Sequence, residues 1–253
     1  LYRYKSDKYY GYCAVENFPG NNDIYYDDDA QVASALITAY EVTQHKEYLD
    51  QGRELVRYLM GGWNNDKNAK IQGSVLWHRD KPYISAISNS ETAHAVLQLA
   101  KFIPNERDYY IDFAKRAIDW QIEHLQDKED GLIVDGIDKN SDAGPNGMKW
   151  TYNTGMTLSC AVLLYEYTQE DKWLQLSHDL AAAATNRHKS LFCRDYAEFD
   201  RRYWRDPSYF LQLLFEGLSD YLLVVGDKAP ESTSSAIRGE FKRHLEYFRK
   251  YHF

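Results

Sequence analysis

Tyr40-Glu41-Val42-Thr43-Gln44, followed by Tyr48-Leu49, returns 125 residues later as Tyr165-Glu166-Tyr167-Thr168-Gln169, followed by Trp173-Leu174. Phe102 and Tyr110-Ile111 match Tyr40 and Tyr48-Leu49 at an intermediate offset of 62. A weaker fourth copy runs from residue 207 to residue 226 and resumes near Ala236. Each copy reads as an apolar helix, a short polar turn and a second, amphipathic helix. Ala114, Ala117, Ile118, Ile122 and Leu125 carry the i, i+3, i+4 spacing of such a second helix. Helical hairpins that cannot each bury a face alone must stack on their neighbours. The predicted fold class is therefore all-α, either an open solenoid or a closed toroid.

The linkers favour the toroid. Residues 61–87 and 127–152 are long, rich in Gly, Asn, Asp and Trp, and each precedes the first helix of a hairpin. The short turns at 43–47 and 168–172 come after it. Long loops gathered on one face are where function tends to sit. Strand signals are confined to residues 74–77 and 132–134, which are expected to pair within the loops.

The chain of 253 residues is long enough for a sizeable core, and a single domain over residues 1–253 is expected. It has no run of 18 or more apolar residues, so no membrane span is predicted. A net charge of −8 argues against nucleic acid as a partner, because phosphate neutralisation needs clustered Lys and Arg. The 22 Tyr and 6 Trp suit sugar rings, offering a flat apolar face and a hydrogen-bonding tip, although most such rings fill cores. Cys13, Cys160 and Cys193 show no CxxC spacing; Cys160 lies in an apolar helical stretch and is expected to be buried. His78, His94, His124 and His188 have no i, i+4 partners or shared acids, so neither a metal site nor a cofactor is predicted. The first residue is Leu1 and no signal-peptide pattern follows it. A secreted or cell-surface place is favoured over the cytoplasm, and the molecule is read as a monomer.

The chemistry-bearing stretch is Tyr25-Tyr26-Asp27-Asp28-Asp29, which leads into the apolar run from Ala30 to Val42. Paired carboxylates are the minimal equipment for breaking a glycosidic bond: one attacks or steadies the anomeric carbon, the other protonates the leaving oxygen. Asp at a helix start also caps free N–H groups and suits the positive end of the dipole. Side chains at i and i+1 inside a helix diverge, so a working pair must sit where loop becomes helix.

Four segments, in order, resemble glycoside hydrolase family 76, the endo-α-1,6-mannanases and their fungal wall-remodelling relatives. They are Tyr26-Asp27-Asp28-Asp29-Ala30, Ser85-Ala86-Ile87-Ser88-Asn89-Ser90, Asp130-Gly131-Leu132-Ile133-Val134-Asp135-Gly136-Ile137, and Trp150-Thr151-Tyr152-Asn153-Thr154-Gly155. The resemblance implies an (α/α)6 barrel, of which this chain accommodates about four hairpins, so the expectation is either a trimmed or partial sequence or a toroid incomplete at the N- or C-terminus. It implies Asp27 as nucleophile and Asp28 as general acid/base in a retaining double displacement. Asp28, flanked by two acids, is expected to be raised by like-charge repulsion. A Gly-rich segment ending in paired Trp, usual in the family, is here Gln72-Gly73-Ser74-Val75-Leu76-Trp77-His78, with a single Trp.

The expected substrate contacts are Tyr26, Trp77, Asn89, Asp135, Trp150, Tyr152 and Asn153. Several have plainer readings: N-capping for Asn89 and Asn153, loop anchoring for Trp77 and Trp150, Asx-turns for Asp135 and Asp138. Residues 199–204 read as a subsite wall or as a solvated loop tied by salt bridges. The function expected is retaining cleavage of α-1,6-mannosidic linkages in a mannan-type carbohydrate. The rivals are a non-catalytic glycan-binding or scaffold protein on the same toroid, and another sugar-active enzyme such as an epimerase.

Overall fold

The computed structural model describes residues 3–5, 10–15 and 23–251. The chain divides into two compact units, residues 1–125 with 135–147, and residues 126–134 with 148–253.

The first unit holds two helical hairpins. Helix α1 (Tyr26–Thr43) packs on α2 (Lys46–Gly61), α3 (Ala86–Ala100) packs on α4 (Arg107–Leu125), and α1 lies against α3. Helix α3 is buried on nearly every side: its Ala, Ile, Val and Leu are interrupted by Ser, Asn and Thr and by the larger Glu91, His94 and Gln98, of which Glu91 and His94 are buried too. Helix α2 is amphipathic and buries Leu49, Leu55, Val56 and Leu59. In α4 the expected face is inside: Ala114, Ala117, Ile118 and Leu125 are buried.

The second unit repeats the scheme with α5 (Thr151–Thr168), α6 (Asp171–Thr185), α7 (Ser208–Asp220) and α8 (Glu231–Tyr251). A π-turn at Tyr221–Val225 prolongs α7. Cys160 is fully buried in α5, as expected. Helices α5 and α7 cross at Gly155 and Gly217, where a Cβ on Gly217 would collide with the Gly155 carbonyl. The fourth hairpin is thus present, with its second helix starting five residues before Ala236.

The repeated pentapeptide is a helix-ending device. Gln44 and Gln169 both take the left-handed conformation (φ 58° and 55°), and their N–H groups donate to Tyr40 and Tyr165 carbonyls. Thr43 and Thr168 hydroxyls donate back to Ala39 and Leu164, then accept from the N–H groups of His45 and Glu170. Both glutamine amides donate to the carbonyls three and four residues back.

The strand expectations need correction. Strand β1 (Arg3–Lys5) pairs antiparallel with β2 (Tyr10–Tyr12), and β3 (Tyr83–Ser85) pairs antiparallel with β4 (Gly136–Asp138). Val75 and Leu76 form only single bridges, to Trp63 and Ile84, and Ile133 bridges Gln126. The span reading meets one exception on composition: Ser208–Lys228 is the one helical stretch, among the described residues, long and apolar enough to cross a membrane. A third of it is buried within the protein, and core helices of the same make-up are common.

Overpacking a close helix crossing costs about 1–3 kcal/mol. Gly217→Ala should therefore lower the melting temperature by several degrees, and Gly239→Ala, where a Cβ meets nothing, should not. Equal melting of the two variants would refute the close approach of α5 and α7.

Candidate active site

Helix α1 begins at Tyr26, with Tyr25 as an extended N-cap that supplies no side-chain cap. Asp27, Asp28 and Asp29 therefore occupy the first helical turn, where loop becomes helix. Successive helical side chains diverge, and the three acids meet three environments. Asp29 is fully buried and accepts the Tyr12 N–H at 2.8 Å. Asp28 is exposed and makes no hydrogen bond or ion pair with any described residue. Asp27 lies between these extremes. Its Oδ2 accepts the Trp77 indole N–H at 3.2 Å, and its Oδ1 is buried with no hydrogen-bond partner among the described residues.

The electrostatics follow from this placement. Burial first, then the Asp28 charge, push the Asp27 carboxyl from 3.8 up to about 7, against the pull of the first-turn N–H groups and the Trp77 indole. Asp28 is also raised, by burial and then by Asp23. The expectation that its flanking acids would raise Asp28 is thus corrected: repulsion within the pair weighs on the buried member, and Asp29 points into the core.

Trp77 is held from several sides. Its carbonyl accepts the Tyr26 N–H at 3.0 Å and its own N–H donates to Tyr83 at 2.8 Å. Tyr25 meets its ring edge-on at a centroid distance of 4.9 Å, and Tyr83 does so at 6.1 Å. Lys81 lies over the rings of Tyr25 and Trp77 and donates to the Tyr25 hydroxyl at 2.9 Å. Where the family usually has its second Trp, His78 packs edge-on against Tyr25 at 4.8 Å. The Tyr83 hydroxyl donates to Asp135 Oδ2 at 2.6 Å, and Asn146 donates to the same oxygen at 3.1 Å. Asp27, Trp77, Tyr83 and Asp135 thus form one continuous set in the first unit.

Other expected contacts lie elsewhere. Tyr26 is buried and stacks on Tyr58 at 5.4 Å, so the ring beside the acid pair is Tyr25. Asn89 is fully buried and spends its side chain internally: its oxygen accepts the Val75 N–H at 3.3 Å, and its nitrogen donates to Ala117 and Gln121, both at 2.8 Å. Neither Asn89 nor Asn153 is an N-cap, because α3 and α5 start after Ser85 and Trp150. Asp138 closes the expected Asx-turn onto the Asn140 N–H, whereas Asp135 does not.

In the second unit, Trp150, Tyr152 and Phe210 cluster at the starts of α5 and α7, with Tyr152 edge-on to Phe210 at 4.2 Å and Trp150 at 5.5 Å. Asp206 anchors this end by accepting the Thr151 N–H at 2.6 Å. Asn153 is fully buried, and neither amide atom has a hydrogen-bond partner among the described residues. Phe210, Lys81 and Tyr83 went unread in the sequence, and of the two tyrosines before the acids Tyr26 rather than Tyr25 was expected at the substrate. The one available signal was the tight Arg79-Asp80-Lys81-Pro82 turn, which folds Tyr83 back on Trp77.

Residues 2–243 match the family model for glycosyl hydrolase family 76. The chain belongs to that family. It is 30% identical over 249 residues to the meiotically up-regulated gene 191 protein of Schizosaccharomyces pombe, covering 90% of this chain and 55% of that protein. It is 25% identical over 144 residues to a mannan endo-1,6-alpha-mannosidase of Candida albicans, covering 55% and 31%. The chain thus spans about half the length of the first relative and a third of the second. An inactive α-1,6-mannanase variant from Salegentibacter sp., with two consecutive aspartates replaced and α-1,6-mannotetrose bound, superposes with a TM-score of 0.75 at 20% identity, covering 88% of this chain and 63% of that one. A cellobiose 2-epimerase from Spirochaeta thermophila gives 0.65 at 15% identity, covering 90% and 60%. These likenesses show the fold, the all-α, (α/α)6-type toroid class that the repeated hairpins predict. Because the epimerase shares it, the fold does not choose the chemistry.

The buried acid carries a stability signature. A carboxyl near 7 in the folded chain keeps its proton between pH 4 and 7, where the unfolded chain has released it, so stability falls as pH rises through that window. Asp27→Asn removes this cost. The variant should exceed wild type by ~2–4 kcal/mol at pH 8 and converge with it near pH 4. A variant no more stable than wild type at pH 8 in denaturant melts would contradict the burial of Asp27.

Proposed function

We propose that this family 76 chain is a retaining glycoside hydrolase acting on α-1,6-linked mannose polymers, with Asp27 as nucleophile and Asp28 as general acid/base. The observation that carries the reading is the asymmetric pair itself. One carboxyl is sunk at a helix start with the Trp77 indole as its side-chain donor, and its neighbour is more exposed and makes no hydrogen bond or ion pair with any described residue. The relatives add support, since replacing consecutive aspartates accompanies loss of activity in an enzyme that binds α-1,6-mannotetrose.

The roles follow from the surroundings. Attack on the anomeric carbon needs an anion; the Trp77 N–H and the first-turn amides only partly offset the burial and the Asp28 charge that hold Asp27 near 7, so the nucleophilic form would build up as pH rises through that value. Burial leaves that anion poorly solvated, and so ready to share its charge with an oxocarbenium-like transition state. Asp28, open to an approaching glycosidic oxygen and raised from its ordinary value by burial and then by Asp23, would protonate the leaving group. After the glycosyl ester forms on Asp27, Asp28 would take a proton from water, which then attacks the same carbon and restores the starting configuration. Trp77 and Tyr25 would present flat faces to the sugar, and Asp135, held by Tyr83 and Asn146, would accept from its hydroxyls.

Asp27→Asn and Asp28→Asn should each lower release of reducing ends from α-1,6-mannan by 10²–10⁴-fold, roughly the contribution of a positioned acid, base or nucleophile. The first product seen by NMR should be the α anomer. Turnover near wild type in both variants would overturn the assignment, and a β product would overturn retention.

A further inference from the structure

The loop before α7 builds a cleft of about 850 Å³ whose lining residues all belong to the second unit. Its floor is Trp204 stacked on His244 at 4.2 Å. The His244 Nε2 accepts the Trp204 N–H at 3.0 Å and its Nδ1 lies 2.8 Å from the Glu240 carbonyl. Burial depresses this imidazole to about 4, so the floor is uncharged at neutral pH. One wall is a ladder of rings along the end of α8: Tyr203 meets Tyr247 at 4.9 Å, and Tyr247 meets Tyr251 at 4.9 Å. The rim carries both signs of charge, with Asp195, Asp200 and an Arg201 guanidinium stacked over Tyr196 at 4.2 Å.

The rim is also fixed. Glu240 is 2% exposed and holds Arg187 at 2.5 Å and Arg243 at 2.6 Å. Arg243 donates to the carbonyls of Asp200 at 2.6 Å and Arg202 at 2.9 Å, and Arg187 donates to that of Phe199 at 3.4 Å. Buried ion pairs thus staple the loop to α8, which makes the cleft largely preformed. These contacts bear out the tied-loop reading of residues 199–204.

The rings of this wall are tilted to one another by 40° and 48°, so each offers its own face to the C–H face of a pyranose, and planar carboxylates and guanidinium groups suit pairs of neighbouring hydroxyls. The mixed rim disfavours a polyanion. The volume lies within the ~300–1,000 Å³ typical of small-molecule sites, room for a short oligosaccharide. We propose that this cleft is a second, non-catalytic saccharide site that holds a neutral stretch of α-1,6-linked mannan. The identity of the sugar rests on the function proposed above.

The test measures binding of α-1,6-mannan by calorimetry to the full 253-residue chain, alongside turnover of a short mannoside. Tyr247→Ala should weaken mannan binding about tenfold or more and leave short-substrate turnover and the melting temperature unchanged. Tyr247→Phe, which keeps the ring, should bind nearly as wild type does. Asp200→Ala should weaken binding in the same direction. If Tyr247→Ala and Asp200→Ala both bind mannan as wild type does, or if the wild-type chain binds none, the site is overturned, whatever the acid pair does. Binding that depends on Tyr247 in a chain that hydrolyses nothing would support the cleft and overturn the hydrolase reading.

Discussion

A carboxylate taken out of water must find compensating donors or keep its proton, and Asp27 has been given only part of what it needs. One oxygen has the Trp77 indole; the other is buried beside a second acid with no hydrogen-bond partner among the described residues. Asp29, one residue on, is fully buried and accepts the Tyr12 backbone N–H at 2.8 Å, so a single bonded oxygen is common to both acids. What sets Asp27 apart is that its donor is a loop indole and that the Asp28 charge adds to burial in lifting its carboxyl to about 7. Much of the first unit serves that contrast. The loop after α2 brings Trp77 over the start of α1, the bridge between Tyr25 and His78 fixes their register, and Lys81 and Tyr83 hold the indole in place.

The same economy of means appears in the second unit, where charge is used as scaffolding. Glu240 is buried yet paired on both oxygens, so it needs no water and locks a loop that would otherwise have little core of its own. Lys149 does likewise for residues 126–131, pairing with Asp127 at 2.5 Å and Asp130 at 2.8 Å. Satisfied charges make rigid frames, and unsatisfied ones mark places where a ligand can complete the set.

What was legible in the sequence was what is local. The Tyr-Glu-x-Thr-Gln element ends a helix through its own side chains, so its repetition announced the hairpins, and the apolar spacing of α4 gave its buried face. Registers set by distant partners were not legible. Tyr83–Ser85 becomes a strand because Gly136–Asp138 lies beside it, while the more strand-like 74–77 finds only single bridges. The acid pair was visible as a motif, but which Tyr flanks it was not. Tyr25 and Tyr26 straddle the start of α1, and the first helical residue turns inward onto Tyr58. Asn89 misled for a similar reason: its segment looks like a helix start, yet the helix begins three residues earlier and carries the amide into the core.

The chemistry proposed for the acid pair depends on the proton affinity of one side chain. Carboxyl-detected NMR on the chain labelled with ¹³C-aspartate, assigned with Asp27→Asn, would follow that group directly across the pH scale. A principal midpoint for Asp27 near 7, well above the ordinary 3.8, is expected. A midpoint near 4, the value of a solvated aspartate, would contradict the burial and repulsion described for it.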